Sequence, residues 1–437
     1  AWTTTLAHHA DVGGIVPGSN ALGASEIYQE GLRLPFLKLF ERGEMNSAIW
    51  EIIGLNVRVP EMVHGDLRAQ MAASRAGRRS FADLVERFGV TEVLAAAEAL
   101  HDYAERLGRA EIRDLPNGTY HFTDHMDGLG EHPEPIVIKV ALTIHDESIS
   151  VDFDGSSPQV EGGVNTPLPF TKASVYTALR SIMQSDIPNC HGFERVVTVT
   201  APKGTVINSV HPAPCGARGI TGYRVIDAMF GALAQPLPDR VTADGMGGST
   251  VPTFAGYREG RSLVFTETVM GTWGASSAHD GQVGVPHMGA NQANVPVEMI
   301  EANYPLRIRR YGIMPDTGGA GRHRGGNSFI REYEYTGEED GLLSLRSDKR
   351  DFRPHGLHGG GEGTGPVSLL IQGESVTELP VLVTKPYRLG KGDVFRHISP
   401  SGGGFGDPAD RTSEEVAADL EAGLISAETA RSVYGHG

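Results

Sequence analysis

Cysteine is nearly absent from this chain: Cys190 and Cys215 are the only two in 437 residues. Two thiols make no disulfide framework, so they are expected to be free, in a reducing cytoplasm. Basic charge is also short. Lys and Arg number 38 against 54 Asp and Glu, a net charge of −16. That balance argues against a nucleic-acid or anionic-membrane partner. No apolar run approaches the ~18 residues needed to span a bilayer. Several catalytic signatures are missing too. There is no GxxxxGK[ST] phosphate loop, no GxGxxG after a strand and no GxSxG elbow. Gly402 to Gly406 is glycine-rich but has no Lys at phosphate-loop spacing, so it reads as a flexible connector. Cys190 sits beside His191, and sequence-adjacent pairs rarely form dyads, which meet through space.

What the chain does have is His8-His9-Ala10-Asp11-Val12-Gly13-Gly14, followed by Pro17-Gly18-Ser19. Two imidazoles and a carboxylate within four residues are donors that suit a divalent metal. An extended segment would put His9 and Asp11 on one face. A turn would let His8 and Asp11 converge, and the glycines favour a turn after Asp11. A second acidic cluster, Glu26-Ile27-Tyr28-Gln29-Glu30-Gly31, follows one loop later and can reach the same site.

The periodicity predicts an α+β protein. Residues 1–19 read as a strand and a Gly/Pro loop; the opening Ala1-Trp2-Thr3-Thr4-Thr5-Leu6 has no initiator Met and reads as mid-strand. An amphipathic helix is expected over 24–42, interrupted at Pro35, with further helices over 46–58, 66–88 and, capped by Thr91, 92–107. Strand alternation follows over 118–124 and 136–153, then a helix at 171–184, a strand at 195–200 and a buried helix at 223–234. Residues 250–400 are dense in glycine with short β runs. Thr412 and Ser426 cap a closing helical pair. The expected regions are a mainly helical 1–115 with the candidate metal motif, an α/β substrate-site region 116–330, and a β-rich 331–437. The helical N-terminal part should pack on a larger, mostly antiparallel β part.

Other segments look like site walls. Pro214-Cys215-Gly216-Ala217-Arg218 presents a cation on constrained backbone. Gly318-Gly319-Ala320-Gly321-Arg322-His323-Arg324-Gly325-Gly326 is either an anion-binding frame or a sharp loop with solvated charges. These segments, with Gly65-Asp66-Leu67-Arg68-Ala69-Gln70, Asp152-Phe153-Asp154-Gly155-Ser156 and Ser401-Gly402-Gly403-Gly404-Phe405-Gly406-Asp407-Pro408, run in an order that resembles the hydantoinase B/oxoprolinase family. The resemblance covers essentially the whole chain.

The resemblance implies a subunit that works with a hydantoinase A-type partner carrying an actin-like ATPase fold. The partner, using ATP and Mg, phosphorylates a carbonyl-bearing substrate. The B-type chain completes the opening of a hydantoin, 5-oxoproline or lactam ring. Related complexes carboxylate ketones, and a scaffold role without chemistry is the third reading. The expected site has zinc or manganese on His8 or His9 with Asp11, delivering hydroxide. Asp11, His9 and Glu30 are then the catalytic set, with Arg218 and Arg322 holding phosphate. Two departures bear on ligand number. Relatives carry an upstream segment absent here, and some have a further His where this chain has Arg33.

Overall fold

A computed structural model describes residues 2–246 and 250–436. The architecture is α+β with mostly antiparallel sheets. Helix α1 spans Ser47–Asn56, with the Asn46 side chain accepting from Ile49 N. Helix α2 spans Pro60–Phe88, and α3 spans Val90–Arg113. Pro60 begins α2 rather than ending α1, because proline at the first turn loses no intrahelical bond. Thr91 falls inside α3, and the break comes at Gly89, whose φ is 80°.

The first sheet runs in the order Gly118–Met126, Ile136–His145, Ser148–Asp152 and Val197–Thr200. Its buried alternation is cleanest at Ile136, Ile138, Val140, Leu142 and Ile144. The last two strands are parallel. Their crossover carries α4 (Leu168–Ile182) and the single turn α5 (His191–Glu194). Helix α6 (Gly219–Leu233) packs with α4 on this sheet and is buried along nearly its whole length.

A second core lies between two further sheets. One is ordered Tyr387–Leu389, Gly341–Arg346, Val251–Arg258, Arg261–Thr266. The other is ordered Leu306–Ile313, Phe329–Tyr335, Val394–Ile398, Val367–Gln372, Ser375–Glu378. Phe254 of the first stacks near Tyr333 and Phe395 of the second, at ring distances of 5.1 and 6.1 Å. The short α7 (Val297–Asn303) precedes the five-stranded sheet. Helices α8 (Ser413–Glu421) and α9 (Ala427–Ser432) close the chain, each capped as its sequence predicts, by Thr412 and Ser426.

Four expectations are corrected. Residues 2–9 form no strand, and Trp2 and Leu6 stand exposed. Residues 24–42 form no long helix: a single 3-10 turn, Ile27–Gln29, ends at Gly31, whose φ is 142°, and Pro35 prevents a restart. The 330 boundary cuts the strand Phe329–Tyr335, because the β-rich unit begins at Val251. Gly402–Gly404 is not a flexible connector. These residues are buried, with their N–H groups donating to Gly326, Asp244 and Gly361 carbonyls.

Candidate active site

The first motif folds around Asp11. Its carboxylate is completely buried. Oδ1 accepts from Gly13 N at 2.9 Å and Arg58 N at 3.0 Å; Oδ2 accepts from Gly18 N and Arg58 Nη1, both at 3.0 Å. A carboxylate has about four acceptor positions, and four donors fill them. The Arg58 guanidinium also donates to the Gly13 and Gly14 carbonyls. Gly13 needs its positive φ of 90°, and a Cβ there would lie 2.4 Å from the Asn56 carbonyl oxygen. Asp11 is therefore a backbone organiser. The expected donor set of His8 or His9 with Asp11 does not fit a metal ion, since Asp11 has no lone pair left to give. Among the described residues, no three His, Cys, Asp or Glu side chains group in a metal-binding arrangement.

The loop that Asp11 shapes carries the second cluster. Ile15 N donates to the Gln29 carbonyl and Leu32 N to the Val12 carbonyl. Glu30 is thereby aimed at the 214–218 turn. Its Oε2 accepts from Cys215 N at 2.9 Å, and its Oε1 accepts from Gly216 N. A Cβ on Gly216 would lie 2.9 Å from that oxygen, so glycine admits the carboxylate. Burial raises the Glu30 pKa, against the two backbone donors and Arg218.

His9 Nδ1 lies 3.1 Å from Asp66 Oδ2 on α2, with 17% of the His9 side chain exposed. His8 is held below its ordinary pKa, first by burial and then by Arg218, Arg346 and His9. Arg218 precedes α6, and its guanidinium lies 5.5 Å from the Phe170 ring centre. Arg346 ends a strand and reaches Asn20 Oδ1 at 3.4 Å. Arg218 thus bears on both His8 and Glu30. His8 in turn lies within the charge of His9.

Arg322 is not gathered there. It pairs with Glu415 of α8 and pulls that carboxyl down to about 2. Nearby, Arg324 and Arg411 meet Asp419, so this glycine frame anchors the terminal helices. Its assignment as a phosphate ligand is corrected accordingly. Sequence reasoning missed Asp66 and Arg346. Asp66 stood within the Gly65–Gln70 motif. Arg346 ends an apolar strand and opens a charged run, and no motif singles it out. The cysteines are free, as expected. Among the described residues, no helix is long and apolar enough to cross a membrane.

Two antiparallel β layers beside an α/β layer, with a histidine–arginine cluster at the start of a buried helix, define the class. Residues 1–408 match the hydantoinase B/oxoprolinase family, and the chain belongs to it. It is 35% identical to the B-type chain of a putative D-/L-hydantoinase from Pseudomonas sp. strain NS671, over 99% of this chain and 75% of that protein. The structure of the ATP-dependent caprolactamase from Pseudomonas jessenii superposes with a TM-score of 0.89 at 30% identity, covering 97% of this chain and 75% of that one. A nucleotide-free acetone carboxylase shares the fold, with a TM-score of 0.90 at 18% identity, covering 98% of this chain and 64% of that one.

Proposed function

We propose that this chain is the B-type subunit of an ATP-dependent cyclic-amide hydrolase, opening a hydantoin, 5-oxoproline or lactam ring. Its partner is an A-type ATPase subunit that phosphorylates the ring carbonyl. The observation that carries this reading is that His8 lies within the charge of Arg218, Arg346 and His9, that Glu30 lies within the charge of Arg218, and that His9 pairs with Asp66. The hydantoinase and caprolactamase names of similar proteins support the substrate class. The similar hydantoinase chain is itself named as a subunit, which supports a partner. Leu84, Phe88, Val90 and Leu94, exposed at the α2–α3 corner, offer that partner an apolar surface.

In this reading the two guanidiniums hold the transferred phosphate. Asp66 orients His9 by accepting from Nδ1–H, which leaves Nε2 as the base for a water molecule. Water oxygen bonds to the activated carbon and His9 passes its proton to the ring nitrogen; the ring C–N bond then breaks as the new hydroxyl's proton follows to nitrogen, and a second water splits the resulting acyl phosphate into carboxylate and inorganic phosphate. His8, its pKa lowered first by burial and then by its cationic neighbours, stands beside His9 as a second imidazole. Glu30 fixes the Cys215–Gly216 turn that places Arg218. No step is routed through zinc or manganese, because the donor set expected for it is already occupied at Asp11. The test is product formation by the co-purified complex, with and without bicarbonate.

A further inference from the structure

Nine residues along α6 from Arg218, about 13 Å at the helical rise, lies a cavity of about 270 Å³. That is small beside the ~300–1,000 Å³ of drug-sized pockets and suits a molecule of one ring. Ile226, Phe230, Met246 and Trp273 supply apolar wall, and Asp244 and His355 line it as well.

The polar groups of this cavity are fixed from behind. Arg224 is fully buried and donates to Asp348 Oδ2 through Nε at 3.0 Å and Nη2 at 2.8 Å. Lys349 pairs with Asp244, and with Asp227 Oδ2 at 3.2 Å. His287 has both ring nitrogens engaged, Nε2 with Asp227 at 3.1 Å and Nδ1 with Gly289 N at 3.0 Å. Asp244 and His355 are tied twice. Asp244 N donates to the His355 carbonyl at 3.0 Å, and His355 Nδ1 lies 3.4 Å from Asp244 Oδ2. Gly403 N donates to the Asp244 carbonyl at 2.8 Å, which pins the same residue from the glycine-rich segment.

Two atoms remain. Asp244 Oδ1 is buried and has no hydrogen-bond partner among the described residues. The Nε2 of His355 has none there either. Burial works against a charged His355, but the hydrogen bond and charge of Asp244 raise its pKa above the ordinary value. The Asp244–His355 pair therefore offers the cavity one acceptor and one donor. An unpaired buried carboxylate oxygen is costly, so a ligand that satisfies it gains accordingly.

We propose that this cavity binds the ring amide itself, with Asp244 Oδ1 accepting the ring N–H and His355 Nε2–H donating to the ring carbonyl. The proposal rests on the cyclic-amide reading above and adds a site distinct from the His9–Arg218 cluster. A small ring forces its amide cis, so N–H and C=O project from the same edge and can meet an adjacent acceptor and donor together. A linear secondary amide must leave its trans form, which weakens binding by about 70-fold. The ring-opened amino acid carries its ammonium and carboxylate at opposite ends of a flexible chain, so it does not present donor and acceptor together from one edge.

The test is saturation-transfer NMR and calorimetry on the full chain, without ATP or partner, using ε-caprolactam, N-methylacetamide and 6-aminohexanoate as probes. Caprolactam should bind, N-methylacetamide about 70-fold more weakly, and 6-aminohexanoate more weakly than caprolactam. Asp244→Asn should lose at least tenfold in caprolactam affinity. Phe230→Trp fills the apolar wall without touching the ion pairs, and it should block binding even if the Asp244 variant fails to fold. No caprolactam binding, equal binding to Phe230→Trp, or parity among the probes would overturn the proposal. Ring opening by the whole complex is read separately, so the site can fail while the functional reading stands, and the reverse.

Discussion

Asp11→Ala separates an organising carboxylate from a metal-binding one. The substitution removes the acceptor for three backbone N–H groups and the Arg58 guanidinium at once. Removing one partner of a buried ion pair costs about 3–5 kcal/mol. Arg58 keeps 29% side-chain exposure and can recover some hydration, so the expected loss is near the lower end, about 3 kcal/mol. Asp11→Asn keeps one carbonyl acceptor and should lose less, about 1–2 kcal/mol. The assay is urea denaturation of the full chain, with Arg58→Met and the double variant completing a cycle. The organiser account predicts strong coupling, because each single variant already destroys the Arg58 Nη1–Asp11 Oδ2 ion pair. An Asp11→Ala chain that unfolds at the parent urea concentration, while losing bound metal or activity, would refute it.

Two further outcomes follow from named side chains. His397 is fully buried, with Nδ1 3.0 Å from Ser368 Oγ and no partner for Nε2 among the described residues, and burial pushes its pKa down to about 3. The unfolded chain then binds the extra proton below about pH 6.5, so its contribution is intact above that pH and falls by about 2 kcal/mol by pH 5; His397→Leu should shrink the stability difference between pH 7.5 and 5 by that amount, and an unchanged difference would refute it. In the co-purified complex, His9→Asn or Asp66→Asn should lower kcat for ring opening by on the order of 10²–10⁴-fold, while some substrate-dependent ADP release continues; a change confined to KM would contradict a base role.

The sequence carried the fold where one period dominated. Ile136 to Ile144 alternates perfectly, and Thr412 and Ser426 announce their helices with side-chain caps. It misled where local pattern met a breaker: Ile27, Leu32 and Leu37 mimic a helical stripe, but Gly31 and Pro35 end it. At the site, His8, His9, Glu30 and Arg218 were legible because each lies in a polar, glycine-flanked motif. Asp11 was legible as important but not in its role. An Asp two residues before a pair of positive-φ glycines is also the pattern of a turn carboxylate bonding its own backbone, as Oδ1 does with Gly13 N. Arg58, Asp66 and Arg346 come from distant chain positions, and only the tertiary fold brings them to this loop.

The central claim is that this chain completes an ATP-driven ring opening. The direct measurement is the complex with its ATPase partner, supplied with hydantoin, 5-oxoproline and ε-caprolactam, with ADP and ring-opened product counted together. The account predicts that one ring amide yields ADP and opened product without any need for bicarbonate. A product that gains a carboxylate from bicarbonate, or ring opening that persists undiminished when His9, Asp66 and Arg218 are all replaced, would contradict it.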